Sequence, residues 1–343
     1  MTAPIRNRAA GRPLTPAPAT ALRPAPILPE PATAIEPPGP SAAFDHAQDY
    51  ARERHAPATR RAYRTDYRLF SLWARGRGLV SLPAEPATVA AFLASEADAG
   101  RSVSTLEHRM AAIRYAHLLA GHEAPTTTEV VRATLAGIRR TRAVRPVQKT
   151  PATVDLVEAL VSGCGEDLHG RRDRALLLLG FAGAFRRSEL AAIEREHLTW
   201  EQMGLRIFLP SSKTDQEGRG EEVAVLRGER LCPVLALDSW LEAACILGGP
   251  IFRAVLPGGK VSVMPLSDRS VALIVKRRAL AAGLDPDGFS GHSLRAGFLT
   301  SAAEAGAGLF AMMDVSRHKS VETVRGYIRR ADAFKNHAAK GLL

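Results

Sequence analysis

Apolar and polar positions follow three patterns along the chain. Residues 1 to 40 show no apolar period and are crowded with proline (Pro13, Pro16, Pro18, Pro24, Pro26, Pro29, Pro31, Pro37, Pro38, Pro40). No packed core can offset the ordering entropy of such a segment, so it is predicted to be a disordered arm. From about residue 42 to 143 the pattern turns helical. Tyr63, Tyr67, Phe70 and Trp73 recur at i, i+4, i+7 and i+10 behind Pro57 and Thr59, one aromatic stripe expected to face a core. Further helices are predicted near 87–99, 103–120 and 126–142, with breaks at Gly100, Gly121 and around Pro125, which makes a small all-helical bundle.

The third pattern is mixed. Helical stretches near 153–163 and 171–184 give way to alternation at 204–210 and 221–227 around a polar, Gly-containing turn, a hairpin with Lys213 on its loop side. Helical periods resume at 233–246, where Pro233 suits a first turn, and at 268–282, 292–304, 308–315 and 320–330. Between the second and third patterns stand Arg139, Arg140, Arg142, Arg145 and Lys149, with Pro146 and Pro151 halting regular structure. They form an extended basic linker or a solvated charge run. The fold class expected is mainly α with a small antiparallel sheet in a C-terminal domain. The division is a 1–40 arm, a helical domain at 41–143, a linker at 144–151 and a second domain at 152–343.

Charge adds a partner. Of the net +11, residues 1–40 carry +2, residues 41–150 carry +7 and residues 151–343 carry +2. Surplus cations on a folded surface attract polyanions, most often nucleic acid. Cys164, Cys232 and Cys245 lack zinc spacing, and their odd number suits a reducing interior. With no apolar run near the roughly 20 residues that span a bilayer and no signal-peptide core, a cytoplasmic protein without membrane or metal is expected. No P-loop or RNP-type motif offers another nucleic-acid reading.

Four strings carry candidate chemistry. Arg186-Arg187-Ser188-Glu189-Leu190 follows an apolar helix and precedes one that Ser188 could cap, so guanidinium groups stand ready for a phosphate. His292 and Arg295, at i, i+3, would share a helix face. Arg317 and His318 precede Ser320, a plausible N-cap for a helix carrying Tyr327. Residues 151–343 hold a single tyrosine, and the chain has seven lysines beside 39 arginines, so neither Tyr327 nor Lys213 comes from a crowded background. Taken singly, the arginine string reads as well as an exposed helix start, the His292–Arg295 pair more often as a surface pair, and Tyr327 more often as a packed aromatic.

Together they resemble the signature of tyrosine site-specific recombinases, the phage-integrase, lambda-integrase-like family: R-x-S-E-L at Arg186, a hairpin Lys213, H-x-x-R at His292 and Arg295, His318 23 residues on and Tyr327 nine after that. The resemblance spans about 152–335, and Thr59, Tyr63, Phe70 and Trp73 resemble the family's core-binding domain. One departure is Arg317, where the family usually has Gly; another is Arg187, which leaves two arginines to choose from, register with Ser-Glu-Leu favouring Arg186.

The resemblance implies a helical SAM-like core-binding domain and a DNA breaking-rejoining domain forming a C-shaped clamp. It implies that Tyr327 forms a 3′-phosphotyrosine with neither ATP nor metal, and that Arg186 and Arg295 stabilise the phosphate. Lys213 would protonate the leaving oxygen, His292 and His318 would handle protons, and Glu189 would support an arginine or histidine. Partners implied are double-stranded DNA with a specific site and a homotetramer on two sites through a four-way junction, at a bacterial nucleoid. The tail from Arg330 to Leu343 would dock on a neighbouring protomer. Arg109, Arg114, Lys276 and Arg277 are candidate groove contacts, beside the linker cations. A type IB topoisomerase-like enzyme and a catalytically inactive DNA-binding regulator remain alternatives.

Overall fold

The structure, a computed structural model, describes residues 54–142, 149–210 and 220–331, and the chain divides into two compact units at residues 145 and 146. The predicted arm, Arg145, Lys213 and the tail beyond Ala331 lie outside the described residues.

In the first unit four helices form: α1 (Pro57–Arg75), α2 (Pro86–Asp98), α3 (Val103–Leu119) and α4 (Glu129–Thr141). Proline opens α1 and α2, where a missing N–H costs nothing. Ser102 caps α3 by accepting the Thr105 N–H at 3.2 Å. Phe70, Phe92, Leu93, Leu106, Ile113, Val131 and Leu135 make the core, with Phe70 edge-on to Phe92 at 5.1 Å.

The aromatic stripe is only partly core. Tyr67 and Trp73 pack at its margin and turn their polar ends outward, Tyr67 Oη to the Ser81 carbonyl (3.1 Å) and Trp73 Nε1 to Ser95 Oγ (3.1 Å). Tyr63 leaves the stripe for a ring cluster with His55, His108 and Tyr115 at 5.2–5.5 Å. Its position a turn before the apolar centre takes it past the end of the core. Arg109, a candidate groove contact, is buried and ion-paired with Glu96, so its charge is spent inside the bundle. Arg114 is exposed.

The second unit is built around α6 (Leu168–Ala182), whose consecutive Leu176–Leu179 are all buried. A helix apolar on every side must be covered on every side. Covering it are α5 (Val154–Ser162), α8 (Pro233–Ala243) and, nearer the chain's end, α9 (Asp268–Ala281) and α10 (Ser293–Glu304); the short α7 (Arg187–Ala191) follows α6 directly. The predicted hairpin is β2 (Gly204–Leu209) with β3 (Glu221–Leu226), antiparallel, and β1 (Leu198–Glu201) adds a third strand in the order β1-β2-β3. Alternation buries Val223 and Val225 and leaves Glu222 and Ala224 exposed. A second sheet, β4 (Arg253–Val255) with β5 (Val261–Pro265), turns on Pro257-Gly258-Gly259.

The chain ends in α11 (Leu309–Ser316) and α12 (Val321–Ala331), which close a separate apolar cluster of Leu299, Ala303, Met312 and Val324 with α10. α10 also runs close to the start of the domain: the Ala152 N–H donates to the Ser293 carbonyl at 2.8 Å, and a Cβ on Gly297 would lie 1.7 Å from the Ala152 carbonyl oxygen. Glycine at 297 therefore seats α10, and with it Arg295.

Candidate active site

The centre forms where α6 stops. Gly183 ends the helix, Ala184 takes a left-handed φ of 45°, and buried Phe185 anchors the turn, which delivers Arg186 to the N-cap of α7. The cap is made by Glu189, not by Ser188 as expected. Its Oε2 accepts the Arg186 backbone N–H at 2.9 Å while Oε1 accepts Arg186 Nη1 at 2.5 Å. The helix begins at Arg187, so Ser188 falls inside its first turn and the reach back to the N-cap belongs to Glu189 at the third position. Arg187 turns away to Asp268 (3.1 Å), so Arg186 is the arginine that faces inward.

Arg295 is buried on α10. Its Nη1 donates to the Ala184 carbonyl at 2.8 Å, and its Nη2 lies 3.1 Å from Nδ1 and 3.3 Å from Nε2 of His318, whose Nδ1 is 2.8 Å from Ser316 Oγ. The helix starts at Ser293, which leaves His292 exposed at the N-cap, and Arg295 meets His318.

Arg317, seen in the sequence only as a departure, is a third guanidinium at the site, and it is buried. It ends α11 in a left-handed conformation (φ 56°), lies 5.0 Å over the Phe185 ring, and donates to the carbonyls of Gly183 (3.1 Å) and Val315 (2.8 Å) and to Glu189 Oε2 (2.8 Å). Its place beside His318 was the available signal.

Three guanidinium groups thus crowd one buried carboxylate. Burial opposes the charge of Glu189, yet Arg317 and the bonds from Arg186 hold its carboxyl below the usual range. Burial first, then Arg186 and Arg317, push the Arg295 guanidinium down to about 9. His318 is pushed down to about 4 by burial and then by Arg295, Arg186 and Arg317, so its ring is neutral and free to accept from Arg295.

This has a sign. Between pH 6.5 and about 4 the unfolded His318 takes a proton that the folded one refuses, so stability falls with pH across that window and is level below it. The loss has a ceiling of about 3.5 kcal/mol at about 1.4 kcal/mol per pKa unit, and solvent around the half-buried ring screens it to less than that. Denaturant titrations at pH 7 and pH 4.5 should show a smaller acid loss for His318→Gln than for the wild type; equal losses would dismiss the assignment.

Tyr327 lies on α12, which begins directly after Ser320. Its ring packs on the Leu299–Met312–Val324 cluster, and it shares a cleft of about 520 Å³ with Lys149, Ser290, His292, Thr300 and Thr323. Arg295 is near enough that a phenolate at Tyr327 would favour its charge.

The other basic candidates are mostly compensated. Arg139 binds Glu107 (2.5 Å), Arg142 binds Asp98 (2.7 Å), and Lys149 donates to the Asp287 carbonyl (2.6 Å) while Lys276 meets the Asp287 carboxylate (2.8 Å). Arg277 shares buried Asp173 with Arg172 and Arg278, though its side chain is 53% exposed. Arg140 is exposed and has no partner among the described residues.

Comparison with known proteins fits these features. Residues 152–333 match the Phage integrase family, and residues 47–123 match the Phage integrase N-terminal SAM-like domain. The chain is 40% identical over 289 residues to an integrase/recombinase XerD homolog of Selenomonas ruminantium, covering 82% of this chain and 84% of that one. It is 31% identical over 200 residues to the tyrosine recombinase XerD of Xanthomonas axonopodis pv. citri (strain 306), 54% of this chain and 61% of that one. Among solved structures, a lambda integrase dimer bound to a COC′ core site shares the fold with a TM-score of 0.57 at 20% identity, covering 84% and 76% of the two chains. The Tn1549 transposon integrase in complex with transposon right end DNA does so at 0.58 and 14%, covering 85% and 98%. Expected from Arg186, His292, Arg295, His318 and Tyr327 and matched along both units, this chain belongs to the phage integrase family, the tyrosine recombinases, enzymes that break and rejoin DNA.

Proposed function

We propose that this enzyme recombines double-stranded DNA at a specific target site through a covalent 3′-phosphotyrosine, with neither metal nor ATP. The observation that carries the reading is a surplus of positive charge: buried Arg295 and Arg317 and half-buried Arg186 around the buried carboxylate of Glu189, with only Glu221, 3.8 Å from Arg317, as a second anion, beside the helix that bears Tyr327. Buried cations without matching anions are costly. A scissile phosphate, whose non-bridging oxygens gain charge during attack, supplies the missing anion.

Tyr327 Oη attacks phosphorus, the bond to the 5′-oxygen breaks, and that oxygen leaves with a proton; the phosphodiester energy is kept in the new ester. Arg186 and Arg295 hold the non-bridging oxygens with bidentate-capable, permanently charged groups. His318, neutral and held by Arg295 and Ser316, bonds the phosphate or takes the tyrosine proton, and His292 assists from the cleft it shares with Tyr327. Lys213 donates the leaving-group proton. A 5′-hydroxyl of a second duplex reverses the step, and two exchanges through a four-way junction in a homotetramer, a dimer on each site, complete recombination. The helical domain at 41–143 and the linker at 144–151, through Arg139, Arg140, Arg142, Arg145 and Lys149, would grip the backbone, with Lys276 and Arg277 contributing from the second domain at 152–343.

The test captures DNA that stays attached to the protein after denaturation in expressing cells. Sequencing that DNA gives the site, and digestion at lysine should leave the nucleotide on the single peptide running from Ser320 to Lys335, whose only tyrosine is Tyr327. An adduct on any other peptide, or none, would overturn the reading.

A further inference from the structure

We propose that Arg317 is a positioning residue for DNA cleavage, holding Glu189 against Arg186 from one side while its Nε faces Glu221 on the other. The proposal rests on the phosphotyrosine reading and deepens it.

The geometry is that of a clamp. Glu189 offers two oxygens to three donors: Oε1 takes Arg186 Nη1, and Oε2 takes both the Arg186 backbone N–H and Arg317 Nη2. Arg186 is only three residues from Glu189, so its side chain and the carboxylate could swing together as one unit. Arg317 removes that freedom, because it is fixed independently by the carbonyls of Gly183 and Val315 and by the Phe185 ring. Its own backbone is the left-handed end of α11, one residue before His318, so the turn that presents His318 and the clamp that aims Arg186 are the same residue.

The remaining edge of the guanidinium points to Glu221, the first residue of β3. Arg317 Nε and Glu221 Oε2 are 3.8 Å apart, both buried, and neither has a hydrogen-bond partner among the described residues. A shift of under 1 Å would join them. Two buried polar atoms left facing each other are costly unless another state of the protein satisfies them. Arg317 also shares the Ala184 carbonyl with Arg295, at 3.5 Å and 2.8 Å, so the two main phosphate ligands are referred to one fixed frame.

Arg317 does not need to touch DNA for any of this. Residues that orient a catalytic group through one intervening side chain typically change activity by about 10–100-fold when removed.

The experiment uses the full chain and a duplex of the captured site sequence, nicked beside the cleavage position so that the adduct is trapped. Arg317→Met should slow single-turnover trapping at saturating DNA by about 10–100-fold while DNA affinity changes by less than about 3-fold. Arg317→Lys, which keeps the charge and loses the fork, should fall between. Arg317→Met combined with Glu189→Gln should be no slower than the slower single variant, since both act on Arg186. If Arg317→Met does not fold, the lysine variant and the double variant, which removes both buried charges together, carry the test.

Wild-type trapping with an unchanged rate in Arg317→Met, an affinity loss that equals the rate loss, or additive effects with Glu189→Gln would each overturn the proposal. Absence of any adduct from the wild type would instead sink the phosphotyrosine reading beneath it.

Discussion

Tyr327→Phe should abolish covalent attachment to DNA, on the order of 10⁶-fold in rate by analogy with the removal of other enzymic nucleophiles, while leaving DNA affinity and the thermal midpoint almost unchanged. The reason lies in how the ring is held. It packs on Leu299, Met312 and Val324 through carbon, and its hydroxyl has no hydrogen-bond partner among the described residues. Phenylalanine keeps the packing and removes only the oxygen. Nothing buried is left unpaired, so no folding cost follows. The check is trapping with the nicked duplex beside equilibrium binding and a melting curve on the same preparation. Any slow adduct from the Phe variant would mean that another residue is the nucleophile. An affinity loss parallel to the activity loss would mean that the hydroxyl serves binding rather than attack.

Much of this architecture was legible beforehand, and the reasons are local. Helices such as α1 and α3 carry their own period or cap, and the β2–β3 hairpin carries strict alternation, so each declares itself within one stretch of chain. The strands β1 and β4 are four and three residues long, too short for a period to register, and exist because β2 and β5 pair with them. Site chemistry followed the same division. Arg186, Glu189, Arg295, His318 and Tyr327 could be picked out by spacing, but which groups touch could not, because contact depends on where α7, α10 and α11 meet. Spacing could set Arg295 on one helix face with His292, but it could not bring it to His318, 23 residues away, where the fold places its Nη2 at 3.1 Å. Arg109 shows the converse, an arginine that reads as surface charge and is spent on Glu96 inside the bundle.

Arg295→Lys should lower the single-turnover cleavage rate by about 10²–10³-fold, the loss usual for a preorganised donor to a developing oxyanion, although the formal charge is retained. Arg295 divides its donors: Nη1 serves the Ala184 carbonyl and Nη2 serves His318, and the remaining N–H groups of the same rigid plane stay available to a phosphate. A lysine nitrogen has three protons on one point and a flexible stem, and cannot meet both protein partners and a phosphoryl oxygen in fixed directions. The buried site also stresses the cation it holds, with the Arg295 guanidinium pushed down to about 9 by burial and its arginine neighbours. An amine, with an ordinary value near 10.4, would lose its charge there far more readily. The lysine variant should therefore recover little activity near neutral pH and somewhat more as the pH falls. That recovery should stop before about pH 4, where His318 takes its own proton and the centre gains a further repelling charge. DNA affinity, set by many exposed backbone contacts, should change by only a few-fold at fixed salt. A lysine variant that cleaves within about 3-fold of the wild type across this pH range would show that charge alone, without the guanidinium's geometry, suffices at this position.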